Sequence, residues 1–326
     1  MIPGVEQMVL TPAARAELEA LVDLVGPGAV DLDGLDDGAL EEIEIVVGGW
    51  GCSVLDAALL ARMPKLRLLA YAAGTVKMTV TPATWEHGIA VSSAAAANAV
   101  PVAEFTVAAI VMIAKDVFRI RDRHREVRGR GPVAGVGPAG DVGTRGLRIG
   151  VIGASTIGRL VIERLQTLDV EIAVSDPFLD ADGARALRVQ PMEVDDLCAW
   201  ADIVTVHAPE LPSTRHLVNA ERMARMRDGA WVVNTARGSL VDTEALTREC
   251  VSGRLCAFLD TPDPEPLPAD SPLYDLANVV LTPHIAGSLG NEIARMGDLA
   301  IAEVRRFLAG EPLHHEVRAE DLERIA

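Results

Sequence analysis

The sequence predicts an α/β protein built on parallel sheets, and three observations carry that reading. Short apolar runs alternate with amphipathic, helix-length stretches along the 326 residues. Most of those runs lack the every-second-residue polar alternation of a half-exposed strand, as sheets covered on both faces require. Near residue 153 a glycine turn joins one such run to a helical pattern.

Strands are expected at 43–47, 66–71, 147–152, 170–175, 203–206, 231–234, 257–260 and 279–281. Helices are expected between them, for example at 156–168 and 242–252. Residues 119–130, RIRDRHREVRGR, read as a solvated helix face, and the Gly-rich run after them as a mobile surface loop. The length suits two domains of ~150 residues each.

Composition narrows the function classes. With 49% hydrophobic and 24% charged residues the chain is globular rather than disordered. Its 30 Lys and Arg face 47 Asp and Glu, and a net charge of -17 repels phosphate backbones, so no nucleic-acid partner is expected. The longest apolar run, 102–114, carries Glu104 and falls short of the ~20 residues of a membrane span. The opening MIPGVEQM lacks the basic and apolar regions of a secretion leader. Cys52, Cys198, Cys250 and Cys256 show no CxxC spacing and read as idle thiols in a reducing cytoplasm. His314 and His315 are adjacent, without ligand-spaced partners, so no metal site is expected.

The glycine turn reads Gly150-Val-Ile-Gly153-Ala-Ser155-Thr156-Ile157-Gly158. It is close to the GxGxxG dinucleotide fingerprint, with Ser155 at the second glycine. The context that the motif needs is present: a strand before, a helix after, and Asp176 at the end of the next strand. Gly153 permits the tight turn, Gly158 permits close helix–strand packing, and free N–H groups at the helix start suit a pyrophosphate. Asp176 suits an adenosine ribose and repels a 2′-phosphate, which favours NAD. Ser155 narrows the backbone approach but is small enough to hydrogen-bond a phosphate.

Downstream, three strand ends deliver polar residues to one side of the sheet. Arg237 follows the strand at 231–234, Glu265 lies in a proline-rich loop after 257–260, and His284 follows 279–281. In open α/β sheets the carboxyl ends of the strands form the ligand crevice. The set matches carbonyl reduction. The guanidinium grips a substrate carboxylate, the imidazolium protonates the carbonyl oxygen as hydride arrives, and the carboxylate orients the imidazole and favours its charged form.

The glycine loop with its spaced Asp, together with NTARGSLVD, LDTPDPEP, LTPHIAGS and HAPELPSTRHL, resembles the D-isomer-specific 2-hydroxyacid dehydrogenases. The resemblance covers about residues 70 to 310. It implies two Rossmann/flavodoxin-like domains, a substrate domain of 1–99 plus 290–326 and an NAD-binding domain of 100–289, with the active site in the cleft between them. The stretch 291–308 suits a closing helix that returns to the first domain.

It also implies Arg237 as substrate clamp, His284 as acid/base and Glu265 as its partner. Cofactor contacts are implied at Gly153, Ser155, Thr156, Ile157, Gly158, Asp176, His207, Pro209, Thr214, Thr235, Ala236, Arg237, Asp260, His284 and Gly287. The substrate is expected at Ala73, Gly74 and Thr75, through backbone N–H groups, and at Trp50, which reads equally well as a packing residue. The family is typically dimeric. The leading reading is NADH-dependent reduction of a 2-oxo acid to a D-2-hydroxy acid, or the reverse. The rival is an NAD-sensing, corepressor-like binding protein on the same fold. A formate dehydrogenase is disfavoured, because the histidine's partner there is typically Gln rather than Glu.

Overall fold

The computed structural model of the chain describes residues 1, 4–128 and 142–322. Two units emerge: Met1–Ala99 with Ser288–Ala326, and Val100–Gly287.

The first unit carries a parallel three-stranded sheet ordered β1 (Ile45–Gly48), β2 (Leu68–Tyr71), β3 (Ala90–Ser93). β2 is buried on both faces because successive side chains point to opposite sides. Leu68 and Ala70 pack with Val9, Leu18 and the residues Met296, Ala300 and Val304 of the helix Ala294–Leu308. Leu69 and Tyr71 face Leu59, Leu60 and Val91. β3 has no counterpart among the expected strands, since AVSS is only half apolar. Its serines are nonetheless buried, and Ser93 Oγ donates to the Gly74 carbonyl at 2.5 Å.

The second unit holds β4 (Leu147–Ile152), β5 (Val170–Ser175), β6 (Gln190–Pro191), β7 (Ile203–Val206), β8 (Trp231–Asn234), β9 (Cys256–Leu259) and β10 (Val279–Leu281). Their order is β10-β9-β8-β7-β4-β5-β6, and every neighbouring pair is parallel. The chain moves outward from β4 through β5 and β6, then returns to the other side of β4 as β7. That reversal is the topological switch beside which doubly wound sheets bind ligands. Apolar layers cover both faces. Val161, Ile162 and Leu165 of the helix Thr156–Leu165 join Ile149, Val151 and Ile203 in one layer. Val204, Val232 and Leu246 belong to the other.

Two sequence expectations need correction or qualification. The apolar helix runs Ala95–Ala114, 20 residues with Pro101 inside it, because Asn98 and Pro101 interrupt the apolar run in the sequence but not the helix. By length and composition alone it is long enough to cross a membrane, although half of its most apolar window is buried inside the protein. The charged stretch forms the helix Val117–Val127, with no buried residue. Most of the Gly-rich run, residues 131–141, lies outside the described residues.

Candidate active site

The turn between β4 and the helix Thr156–Leu165 is set by backbone fit. Gly153 has φ +96, and a Cβ there would stand 2.6 Å from the Ala208 nitrogen. A Cβ on Gly158 would stand 2.0 Å from the Gly153 carbonyl oxygen. Only glycine meets either demand. Ser155 is the helix N-cap: its Oγ accepts from Gly158 N–H at 3.3 Å and donates to the His207 carbonyl at 2.7 Å. Its hydroxyl is therefore spent inside the protein rather than on a phosphate. The N–H groups of Thr156 and Ile157 have no intrahelical partner by position, and they suit a bound anion. Asp176 accepts from Ala154 N–H at 2.6 Å and Phe178 N–H at 2.7 Å, so its carboxylate is fixed at the loop's edge.

Past β7 the candidate residues close a turn of their own. Thr214 Oγ1 donates to the Pro209 carbonyl at 2.6 Å. His207 is 2% exposed. Its Nε2 shares a hydrogen bond with Thr205 Oγ1 at 2.9 Å, and its Nδ1 has no partner. Burial pushes its pKa down to about 3, so the ring is neutral. With the ring enclosed, His207 meets the loop through its backbone: its N–H donates to the Ile152 carbonyl at 2.7 Å and its carbonyl accepts from Ser155.

Asn234 organises the end of β8, a task that the sequence reading missed. Its Oδ1 accepts from Ala236 N–H at 3.1 Å, and its Nδ2 donates to the carbonyls of Arg237 at 2.8 Å and Thr261 at 3.4 Å. It thus ties the arginine loop to the glutamate loop. Thr235 is buried and shares a 2.7 Å hydroxyl contact with Thr106. Arg237 Nη1 donates to the Ala236 carbonyl at 2.7 Å, and among the described residues its guanidinium has no carboxylate partner.

Asp260, at the end of β9, is fully buried. Its Oδ1 accepts from Thr282 Oγ1 at 2.5 Å and Ile285 N–H at 2.8 Å, and its Oδ2 from Ala286 N–H at 2.9 Å. This carboxylate holds the turn that carries His284, a positioning task that the sequence does not show. The His284 N–H donates to the Asp260 carbonyl at 3.0 Å, and its backbone sits at φ +55. Gly287 ends that turn and the second unit.

The His284 Nδ1–H donates to Glu265 Oε1 at 2.7 Å, with both side chains about half exposed. The other acid of that loop, Asp263, pairs instead with Arg215 at 3.6 Å. Glu265 therefore orients the ring and leaves Nε2 as the nitrogen that can exchange a proton with a ligand.

On the first unit, Ala73 is buried, while the N–H groups of Gly74 and Thr75 find no acceptor among the described residues. Trp50 is half-buried and packs against both apolar layers of that unit. The four cysteines are free, and burial raises Cys198 and Cys256 to about 11 and Cys250 to about 12.

A parallel sheet with a glycine turn at its switch point and an acid at the next strand end defines a dinucleotide-binding domain of the doubly wound class. Residues 107–286 match the NAD binding domain of the D-isomer specific 2-hydroxyacid dehydrogenases. The chain is 34% identical over 259 residues to (S)-sulfolactate dehydrogenase of Chromohalobacter salexigens, covering 78% of this chain and 81% of that one. It is 31% identical over 304 residues to D-3-phosphoglycerate dehydrogenase of Mycobacterium tuberculosis, covering 93% of this chain and 56% of that one. The chain spans about half the length of the D-3-phosphoglycerate dehydrogenases that it matches. A phosphoglycerate oxidoreductase structure from Rhizobium etli superimposes with TM-score 0.82 at 25% identity, covering 96% and 95% of the two chains. The protein belongs to the D-isomer specific 2-hydroxyacid dehydrogenase family, and its cofactor is NAD.

Proposed function

We propose that the chain is an NAD-dependent dehydrogenase interconverting a 2-oxo acid and a D-2-hydroxy acid. The observation that carries this reading is the His284–Glu265 pair, delivered from the ends of neighbouring strands next to the one that Arg237 follows, whose guanidinium has no carboxylate partner among the described residues. Bound NADH supplies the hydride. Arg237 takes the substrate carboxylate through its paired N–H donors, which orients the 2-oxo group. His284, charged, gives the proton from Nε2 to the carbonyl oxygen, and neutral, takes it back in oxidation. Glu265 holds the ring in that orientation and balances its charge. On the first unit, the Gly74 and Thr75 N–H groups are further candidate donors to a carboxylate.

The glycine-rich loop at 48–52, expected at the substrate through Trp50, contains no cation, and Lys77 is the nearest one in sequence to the 73–75 loop; this favours an unphosphorylated 2-oxo acid. By the same reading the enzyme is a cytoplasmic homodimer whose partners are small molecules, with no nucleic-acid or membrane role. A panel of 2-oxo acids with NADH, followed at the nicotinamide absorbance, tests the proposal. Turnover to the D-isomer is expected, with pyruvate, glyoxylate or a larger apolar oxo acid preferred to phosphohydroxypyruvate. NADH binding without turnover of any of them would identify a sensor instead.

A further inference from the structure

The glycine loop offers little positive charge to a pyrophosphate from the residues expected to serve it. Ser155 turns its hydroxyl inward to the His207 carbonyl. Thr156, exposed at the first helical position, is uncharged. An acid, Asp176, borders the loop and accepts from Ala154 N–H. The helix terminus itself contributes only about half a positive charge.

Arg159 lies three residues beyond Thr156 and so on the same face of that helix. Its side chain bends back over the loop, and its Nε donates to the Ala154 carbonyl at 2.9 Å. Ala154 is thereby bracketed, with Asp176 on its N–H and Arg159 on its carbonyl. The side chain is exposed, and among the described residues neither terminal nitrogen has a protein acceptor or a carboxylate partner. A guanidinium anchored through Nε and open at both Nη atoms has the fork geometry that grips phosphate oxygens.

We propose that Arg159 is a phosphate-binding residue of the dinucleotide site, supplying to the pyrophosphate the cation that Ser155 and Thr156 do not. This inference rests on the NAD-binding reading above. Being exposed, the contact works in partly screened surroundings, so its loss is moderate rather than total.

The test uses Arg159→Met and Arg159→Lys, with dissociation constants measured by titration for NADH, NADPH, ADP-ribose and adenosine. Arg159→Met is expected to weaken NADH and ADP-ribose about tenfold, one charge-assisted contact, and to leave adenosine within about twofold. It should also flatten the salt dependence of ADP-ribose binding, while Arg159→Lys recovers part of the loss. An unchanged dissociation constant for ADP-ribose overturns the proposal. So does an equal loss for adenosine, which would make Arg159 a mere anchor for Ala154. A loss confined to NADPH also overturns it, since that places the guanidinium at the ribose. Failure of the unaltered protein to bind both NADH and ADP-ribose would overturn the NAD reading itself, and this proposal with it.

Discussion

Gly238 lies so close to Pro262 that a Cβ on the glycine would stand 2.1 Å from the proline's carbonyl oxygen. Gly238 follows Arg237, and Pro262 lies three residues before Glu265. This contact, with the Asn234 hydrogen bonds beside it, sets the spacing between the arginine loop and the glutamate loop. The glycine is required for close approach.

Gly238→Ala must therefore push the two loops apart. A displacement of about 1 Å in a catalytic set costs on the order of a hundredfold, and overpacking costs about 1–3 kcal/mol of stability. We expect kcat/KM for the preferred oxo acid to fall by about that factor, with a lower melting temperature. Wild-type kinetics in the variant would show that the loops tolerate the insertion and that their spacing is not set here.

Asp176 predicts a strong preference for NADH over NADPH. Pro177 and Phe178 follow it, and no arginine in that loop is available to meet a 2′-phosphate. Placing a phosphate beside an ionised carboxylate costs ~2 kcal/mol, a factor of ~30 in specificity constant. Equal specificity constants for the two cofactors would contradict the assignment.

The parts of this site that were legible in the sequence are those that appear as residue type at a strand end. Arg237, Glu265 and His284 stand out because charged side chains directly after apolar strands need a reason. The glycine turn was readable from Gly153, Gly158 and Asp176 for the same kind of reason. What the sequence hid were tasks defined by partners far along the chain. Asp260 and Asn234 stand at strand ends too, but their hydrogen bonds reach residues 285–286 and 261, and only the fold shows those ends meeting. The bond from Ser155 to the His207 carbonyl is hidden in the same way, because its partner lies 52 residues further along the chain. β3 escaped because buried serines carry no apolar signal.

His207 makes the second unit sensitive to acid. Burial lowers its pKa from 6.5 to about 3, so the unfolded chain takes up a proton that the folded chain refuses. Its contribution to stability is complete above pH ~6.5 and falls progressively as the pH drops toward 3. His207→Gln removes the titrating group. Between pH 7 and 4.5 the melting temperature of the wild type should fall further than that of the variant. Parallel curves would show that His207 does not titrate against folding.

The central claim is that Glu265 serves His284, and a contrast with the neighbouring acid tests it more directly than loss of activity alone does. Reduction requires the protonated imidazole and oxidation the neutral one. Glu265→Gln keeps the shape and a hydrogen-bonding oxygen but removes the counter-charge. With hydride transfer rate-limiting, as a deuterium effect from labelled NADH can establish, kcat/KM for reduction should fall about tenfold in that variant. Asp263→Asn, in the same loop but paired with Arg215, should leave it within about twofold. If Glu265→Gln keeps the wild-type value while chemistry limits the rate, or if Asp263→Asn loses as much, Glu265 is not the histidine's partner and the account fails at its centre.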